Sequence, residues 1–438
     1  MLLATLVQIF AQGLYWQLIP LCLLSVLAPI YAWNSSRSLA ARISFAIVAV
    51  LLLGSTVTSS LLLPLFRLPT TTGPYPVGTR ILHFVDPSRP DTGHRLKSGH
   101  RELMVQAWYP IDASQAHGSL EAYRRPSEVT LLSSYMTVIR THSFSNAPIA
   151  ASTHEYPVIL FNPAWKGPRT ECEYLMEDLA SHGFVVFSID HTYNSGPVAF
   201  PDGTRIVSAL GPEIDDFAGR KFEDEQKQGD DEVRLQAQDN SFVLDGLMNR
   251  KISGIDRWYK PLNLDQVGVV GHSFGGSVAL QTAYSDPRVV SAINMDGWVF
   301  GDPAHIILRK PTMQMNEQIA WPTPEQLSKG GREFKIYWQF SAADARFRQD
   351  SIAASGGYSL TIEGSRHMDF ADRSLYSPIK RWTDSGTITP QRAHQIVCRY
   401  ANAFFARTLL NEVQPLLEQQ NLGDKNVAFA KFSSRAPN

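Results

Sequence analysis

The stretch that most restricts this chain is Gly271-His272-Ser273-Phe274-Gly275-Gly276. An apolar run, Val267-Gly268-Val269-Val270, precedes it, and a segment of helical character, Ser277 to Tyr284, follows. Strand, sharp turn and helix in that order hold the apical serine in a strained backbone conformation, with its hydroxyl exposed above a sheet. Glycines flank the turn because the strand and the helix must pass close together. A bare G-x-S-x-G also occurs by chance in loops. The strand before and the helix after make Ser273 the expected nucleophile.

The elements around the elbow fit a sheet that can carry it. Thr79 to Val85 and Leu103 to Tyr109 read as paired strands, and Tyr156 to Phe161 as a further one. Cys172 to His182 reads as a helix and Phe184 to Ile189 as a buried strand ending at Asp190. Val289 to Met295, Pro311 to Met315 and Tyr358 to Glu363 are the strands after the elbow, and Thr389-Pro390 caps a helix from Gln391 to Leu410. Strands that alternate with helices imply a mostly parallel sheet covered on both faces, an α/β class. Glu213 to Gln238 is strongly charged and reads as a solvated helix face or loop, with a lid as the sharper alternative.

The amino-terminal part is different in kind. Leu14 to Trp33 and Ile43 to Phe66 are apolar runs of about 20 residues, long enough to span hydrocarbon. A cleavable signal peptide would open with a basic region and be shorter. The expected organisation is a membrane anchor over 1–67, a linker over 68–77, a catalytic domain over 78–412 and a tail over 413–438, loosely ordered from Gly423 to Asn438. Arg37 and Arg42 in the link between the two runs favour its cytoplasmic side, which places the catalytic domain outside; Arg67 and Arg80 reduce that asymmetry.

With 40 basic and 41 acidic residues the net charge is −1, so no nucleic-acid partner is expected, and no obligate protein partner is evident. Three scattered cysteines (Cys22, Cys172, Cys398) make neither a disulfide framework nor a zinc site and read as packing residues.

A serine hydroxyl is a weak nucleophile until an imidazole takes its proton and a carboxylate orients that imidazole. In α/β-hydrolases the chain order is serine, acid, histidine. Three histidines follow Ser273. His394 lies in the last helix and reads as a surface residue, while His305 sits in a connection with nothing to fix it. His367 follows a strand end directly and is the expected base. For the acid, Asp296, Glu317 and Asp344 are all open on position alone.

Leu179-Ala180-Ser181-His182-Gly183-Phe184, the elbow, Asp296-Gly297-Trp298 and Gly364-Ser365-Arg366-His367-Met368-Asp369-Phe370-Ala371-Asp372 together resemble the plasma-type and intracellular platelet-activating-factor acetylhydrolase family. Val105-Gln106-Ala107-Trp108-Tyr109-Pro110 fits the same family, and the likeness runs from about Gly78 to Leu410. The resemblance implies an α/β-hydrolase fold and a triad of Ser273, Asp296 and His367, with no metal or cofactor. It also implies hydrolysis of short or oxidised sn-2 acyl groups of glycerophospholipids, independent of calcium.

An oxyanion hole needs backbone N–H groups aimed at the developing charge. Phe274 supplies one, and the loop after Phe161 the other; matching the family by position puts that second donor at Trp165. The family reads His-Gly where this chain has Pro163-Ala164, and proline lacks an N–H and fixes its own φ. This puts the substrate in question more than the mechanism, as do the two apolar segments. A general short-chain carboxylesterase, an acyltransferase on the same fold and a catalytically dead membrane-anchored binding protein are the competing readings.

Overall fold

A computed structural model describes residues 3, 7, 8, 10, 13–33, 38–152, 154–210, 221–249, 262–418 and 424–433. Arg37 of the basic link, 213–220 of the charged stretch and 434–438 of the tail lie outside the described residues.

The strands are β1 Val77–Pro90, β2 His100–Pro110, β3 Leu120–Ala122, β4 Arg140–Ser145, β5 Tyr156–Asn162, β6 Val185–Asp190, β7 Val198–Ala199, β8 Arg205–Ile206, β9 Leu262–His272, β10 Val289–Met295, β11 Thr312–Asn316, β12 Gly357–Ile362 and β13 Val427–Phe432. One sheet holds all but the β7–β8 pair, in the order β13-β12-β11-β10-β9-β5-β6-β2-β1-β4-β3. From β6 to β12 every neighbouring pair is parallel. Beyond these, β2, which pairs with β6, and β13, which pairs with β12, run antiparallel to their neighbours.

Both faces are covered, and the alternation of side chains along each strand divides the core in two. In β5, Ile159 and Phe161 face a cluster that includes Leu175 and Leu179 of helix Glu173–Ser181 and Phe404 and Phe405 of helix Pro390–Leu409. Val158 and Leu160 face the other cluster, with Val243 and Leu247 of helix Phe222–Met248 and Leu280 and Ala283 of helix Phe274–Ser285. The 68–77 segment is pinned along the first of these helices. Thr72 N donates to Asp178 Oδ1 (2.7 Å) and Gly73 N to Ser181 Oγ (3.0 Å).

Several elements differ from expectation. Glu223 to Gln238 is not a fully solvated face, because it belongs to helix Phe222–Met248, whose Val233 is buried in a cluster with Phe274, Phe300, Ile336 and Phe340. Val233, Ala237, Val243, Leu244 and Leu247 are buried at helical spacing within the charge. Asp239 is buried there too, taking Arg101 Nε at 2.7 Å and Nη2 at 2.5 Å, with His191 Nδ1 at 2.9 Å. Asp230 accepts from Gly301 N (2.7 Å) and holds His305 Nε2 at 3.0 Å, so His305 is fixed after all.

His394 is not a surface residue. It is buried on the same stripe as Val397, Ala401 and Phe404, stacked on Tyr174 at 3.8 Å, with Nε2 donating to Ala371 O (3.2 Å). Burial pushes its pKa down to about 3, so the ring is neutral. The tail is not loose over its described part, because β13 closes one edge of the sheet. The three cysteines are free thiols.

At the other end, helices Ile19–Trp33 and Leu39–Leu62 form a hairpin, with Tyr31 stacked on Phe45 at 3.9 Å. By length and composition the helical spans Trp16–Trp33 and Leu39–Leu62 could cross a membrane, and Leu23, Val26, Leu27, Ile30, Ile43, Ile47, Leu51 and Val57 are exposed. The second helix ends at Leu62, short of the expected Phe66, which instead packs into the core beside Tyr123 and Tyr376.

Candidate active site

β9 delivers Ser273 at its carboxyl end, and helix Phe274–Ser285 starts on the next residue. Ser273 has φ 55° and ψ −126°, held by its N–H to Met295 O (2.8 Å) and its carbonyl to Gly276 N (2.8 Å). A Cβ on Gly271 would lie 1.9 Å from Gly275 O, so the turn admits no side chain there. One on Gly275 would lie 2.1 Å from Asn162 O, which explains how the loop after β5 comes hard against the elbow.

β10 and β12 deliver the other two groups. His367 Nε2 lies 2.9 Å from Ser273 Oγ, and its Nδ1 lies 2.6 Å from Asp296 Oδ2. Asp296 sits one residue past β10 with φ 59°; its N–H donates to Met315 O (2.8 Å) and its Oδ1 accepts from Glu317 N (2.7 Å). Ser273, Asp296 and His367 are therefore brought together. Glu317 and Asp344, the other two candidate acids, line the same cavity, but the Nδ1 partner is Asp296.

Burial alone would lower the His367 imidazole. The Asp296 hydrogen bond and charge, with Glu317 and Asp384 behind, outweigh it and push the ring up to about 9. Burial and the Asp296 charge push Glu317 up to about 8. Burial likewise raises Asp344 to about 7, against the pull of Arg348 at 3.1 Å.

The side chains of Asp296, Glu317 and His367 bring ligand-type atoms within 4.8 Å of one another, as do Glu171, Cys172 and His272 behind them. Hydrogen bonds already occupy both ring nitrogens of His367 and Nε2 of His272.

A cavity of about 420 Å³ opens over Ser273. Trp165, Trp298, Trp321, Tyr337 and Trp338 are among its walls. Trp165 meets Phe274 edge-on at 4.9 Å, and Trp298 stacks on Phe340 at 5.0 Å. Helix Arg332–Phe347, between β11 and β12, lines the cavity through Tyr337, Trp338, Ser341 and Asp344. Sequence reading missed this helix. Its signal was present, since Ile336, Phe340 and Phe347 recur at helical spacing.

Phe274 and Trp165, the expected oxyanion donors, both line the cavity with Ser273. The Pro163-Ala164 departure is accommodated by Glu171, whose Oε2 accepts from Ala164 N at 2.6 Å.

Comparison with known proteins gives the chain a family. The family model for platelet-activating factor acetylhydrolase, isoform II, matches residues 64–426. A probable 1-alkyl-2-acetylglycerophosphocholine esterase of Arthroderma benhamiae is 25% identical over 261 residues, 54% of this chain and 60% of that protein. The platelet-activating factor acetylhydrolase of Canis lupus familiaris is 25% identical, over 55% of this chain and 54% of that one. The chain thus spans between half and three-fifths of the length of these curated relatives. A ferulic acid esterase from Streptomyces cinnamoneus superposes with a TM-score of 0.62 at 27% identity, covering 83% of this chain and 99% of its own, and the fold is α/β-hydrolase-like. A family match over residues 64–426, well over half of the chain, settles the relationship: the chain belongs to the platelet-activating factor acetylhydrolase, isoform II, family.

Proposed function

We propose that this protein is a serine hydrolase of carboxylic esters, acting on short or oxidised sn-2 acyl groups of glycerophospholipids. The observation that carries the reading is the unbroken chain from Ser273 Oγ through both nitrogens of His367 to Asp296, open to a cavity with aromatic and polar walls. Ser273 Oγ attacks the ester carbonyl carbon as His367 Nε2 takes its proton. Asp296 stabilises the imidazolium so formed. The N–H groups of Phe274 and Trp165 receive the negative charge on the carbonyl oxygen. The ester C–O bond breaks, His367 returns the proton to the departing alcohol, and an acyl-Ser273 ester remains. Water, deprotonated by His367, then releases the acid and restores the serine. The apolar hairpin serves as a membrane anchor that keeps the site near amphiphilic esters, with the catalytic domain on the extracytoplasmic side.

The aromatic walls favour one second reading, an esterase for aryl-acyl esters such as the one its structural neighbour is named for. The test is fluorophosphonate labelling of wild type beside Ser273→Ala, followed by turnover of acetyl and long-chain phosphatidylcholine, 4-nitrophenyl acetate and methyl ferulate. Labelling lost in the variant, with turnover of the short sn-2 chain alone among the phospholipids, is the expected result. Turnover of methyl ferulate without phospholipid selects the second reading, and turnover of 4-nitrophenyl acetate alone selects a general esterase. A folded wild type that does not label sinks the hydrolase reading.

A further inference from the structure

Behind the nucleophile, two side chains join the loop after β5 to the loop that carries His367. Glu171 accepts from Ala164 N through Oε2 at 2.6 Å, while its Oε1 stands 3.4 Å from His272 Nδ1. The first loop is wrapped round this carboxylate so closely that a Cβ on Gly167 would lie 2.8 Å from Oε2. His272 is fully buried between the strand end and the catalytic ring, which lies 4.9 Å away, and its Nε2 is 3.1 Å from His367 O. A carbonyl oxygen only accepts, so Nε2 carries a hydrogen and donates it. Nδ1 then faces the Glu171 carboxyl group, and the approach is attractive only with one proton shared between them. Burial opposes a charged Glu171, but the His272 charge and hydrogen bond and the Ala164 N–H hold its carboxyl below the usual range.

We propose that Glu171 and His272 are positioning residues that tie the Trp165 loop to the His367 loop, so that oxyanion donor and general base keep a fixed placement about Ser273 Oγ. The inference rests on the hydrolase reading above. It explains how a chain with Pro163-Ala164 keeps that loop in place: the Ala164 N–H is bound by a carboxylate, and the same carboxylate reaches the elbow.

The substitution Glu171→Gln separates this role from general packing. A glutamine oxygen can accept from Ala164 N while its amide N–H faces neutral His272 Nδ1, so both contacts of the side chain survive without charge. Glu171→Leu removes the bond from Ala164 N and the contact with His272, and His272→Phe removes the donor to His367 O.

Wild type is first labelled with fluorophosphonate, and each variant is checked for a wild-type melting profile before kcat and KM are measured. Glu171→Leu is expected to lower kcat about a hundredfold at little changed KM, the low end of losing one oxyanion donor. Glu171→Gln should stay within about threefold of wild type, and the Glu171→Leu/His272→Phe double variant should lose no more than about the larger single loss. Wild-type kcat in Glu171→Leu, a loss confined to KM, a Gln variant as poor as the Leu variant, or losses that multiply in the double variant each overturn the proposal. Should Glu171→Leu not fold, His272→Phe against Glu171→Gln carries the same comparison. A wild type that does not label defeats the hydrolase reading and this inference with it; a labelled wild type with unaffected variants defeats only this one.

Discussion

Asp296 has a positive φ, which aspartate tolerates better than most residues, and Ser273 has one as well. The Asp296 turn is held by its N–H on Met315 O and by Glu317 N on the Asp296 carboxylate. This is why the acid was the least legible of the three groups. Ser273 could be read from its elbow and His367 from its place after a strand, whereas Asp296, Glu317 and Asp344 differ in a turn of the backbone that no spacing reveals. Only the resemblance separated them. Glu171 and His272 were invisible for a related reason, since a buried polar pair takes its meaning from loops distant in sequence. The electrostatics of the triad make a prediction about pH. His367 must be neutral to accept the serine proton, so kcat/KM rises with pH through a limb displaced from 6.5 towards about 9. Glu317→Gln removes one of the carboxylates that favour the imidazolium, and the limb should move to lower pH in a kcat/KM profile. An unchanged or raised limb would show that Glu317 does not act on His367. The same shift makes protonated His367 a source of stability that is full below about pH 6.5 and lost as the pH climbs towards about 9.

Among the elements, the strands flanking the elbow were legible because side chains alternate between two apolar clusters, and the last helix because Thr389 and Pro390 mark its start. Helix Phe222–Met248 was not, because its acidic composition suggests solvent while its stripe at helical spacing is buried. The charges there divide into two populations. Glu223 is exposed in the first turn, where a carboxylate suits the helix dipole. Asp239 is buried against Arg101 and His191, and their charges and hydrogen bonds hold its carboxyl well below the usual range despite burial, which pushes the other way. Asp239→Asn leaves Arg101 buried without its counter-charge and should cost about 3–5 kcal/mol in chemical denaturation. Glu223→Gln should stay within about 0.5 kcal/mol. Equal effects of the two would mean that the buried pair contributes no more than a surface charge.

For the molecule as a whole, the segments on either side of the apolar hairpin are packed into the α/β body. Tyr15, Leu18, Phe66 and Leu68 share a core cluster with Trp108 and Leu175, and Trp16 Nε1 donates to Leu132 O at 2.9 Å. The full chain is therefore expected to sediment with membranes and resist alkaline extraction, while a chain starting at residue 63 should be released and still label at Ser273. Release of the full chain by alkali would argue against an anchor, and loss of labelling on truncation would make the hairpin part of the catalytic body. At the far edge, β13 lies along β12, and Glu363 N, just before the loop that carries His367, donates to Asn426 O at 2.8 Å. During synthesis all three members of the triad leave the ribosome well ahead of this strand. The loop bearing His367 gains its outer brace only when Asn426 and Val427–Phe432 have emerged, so the candidate site is fully supported only after translation has passed that strand.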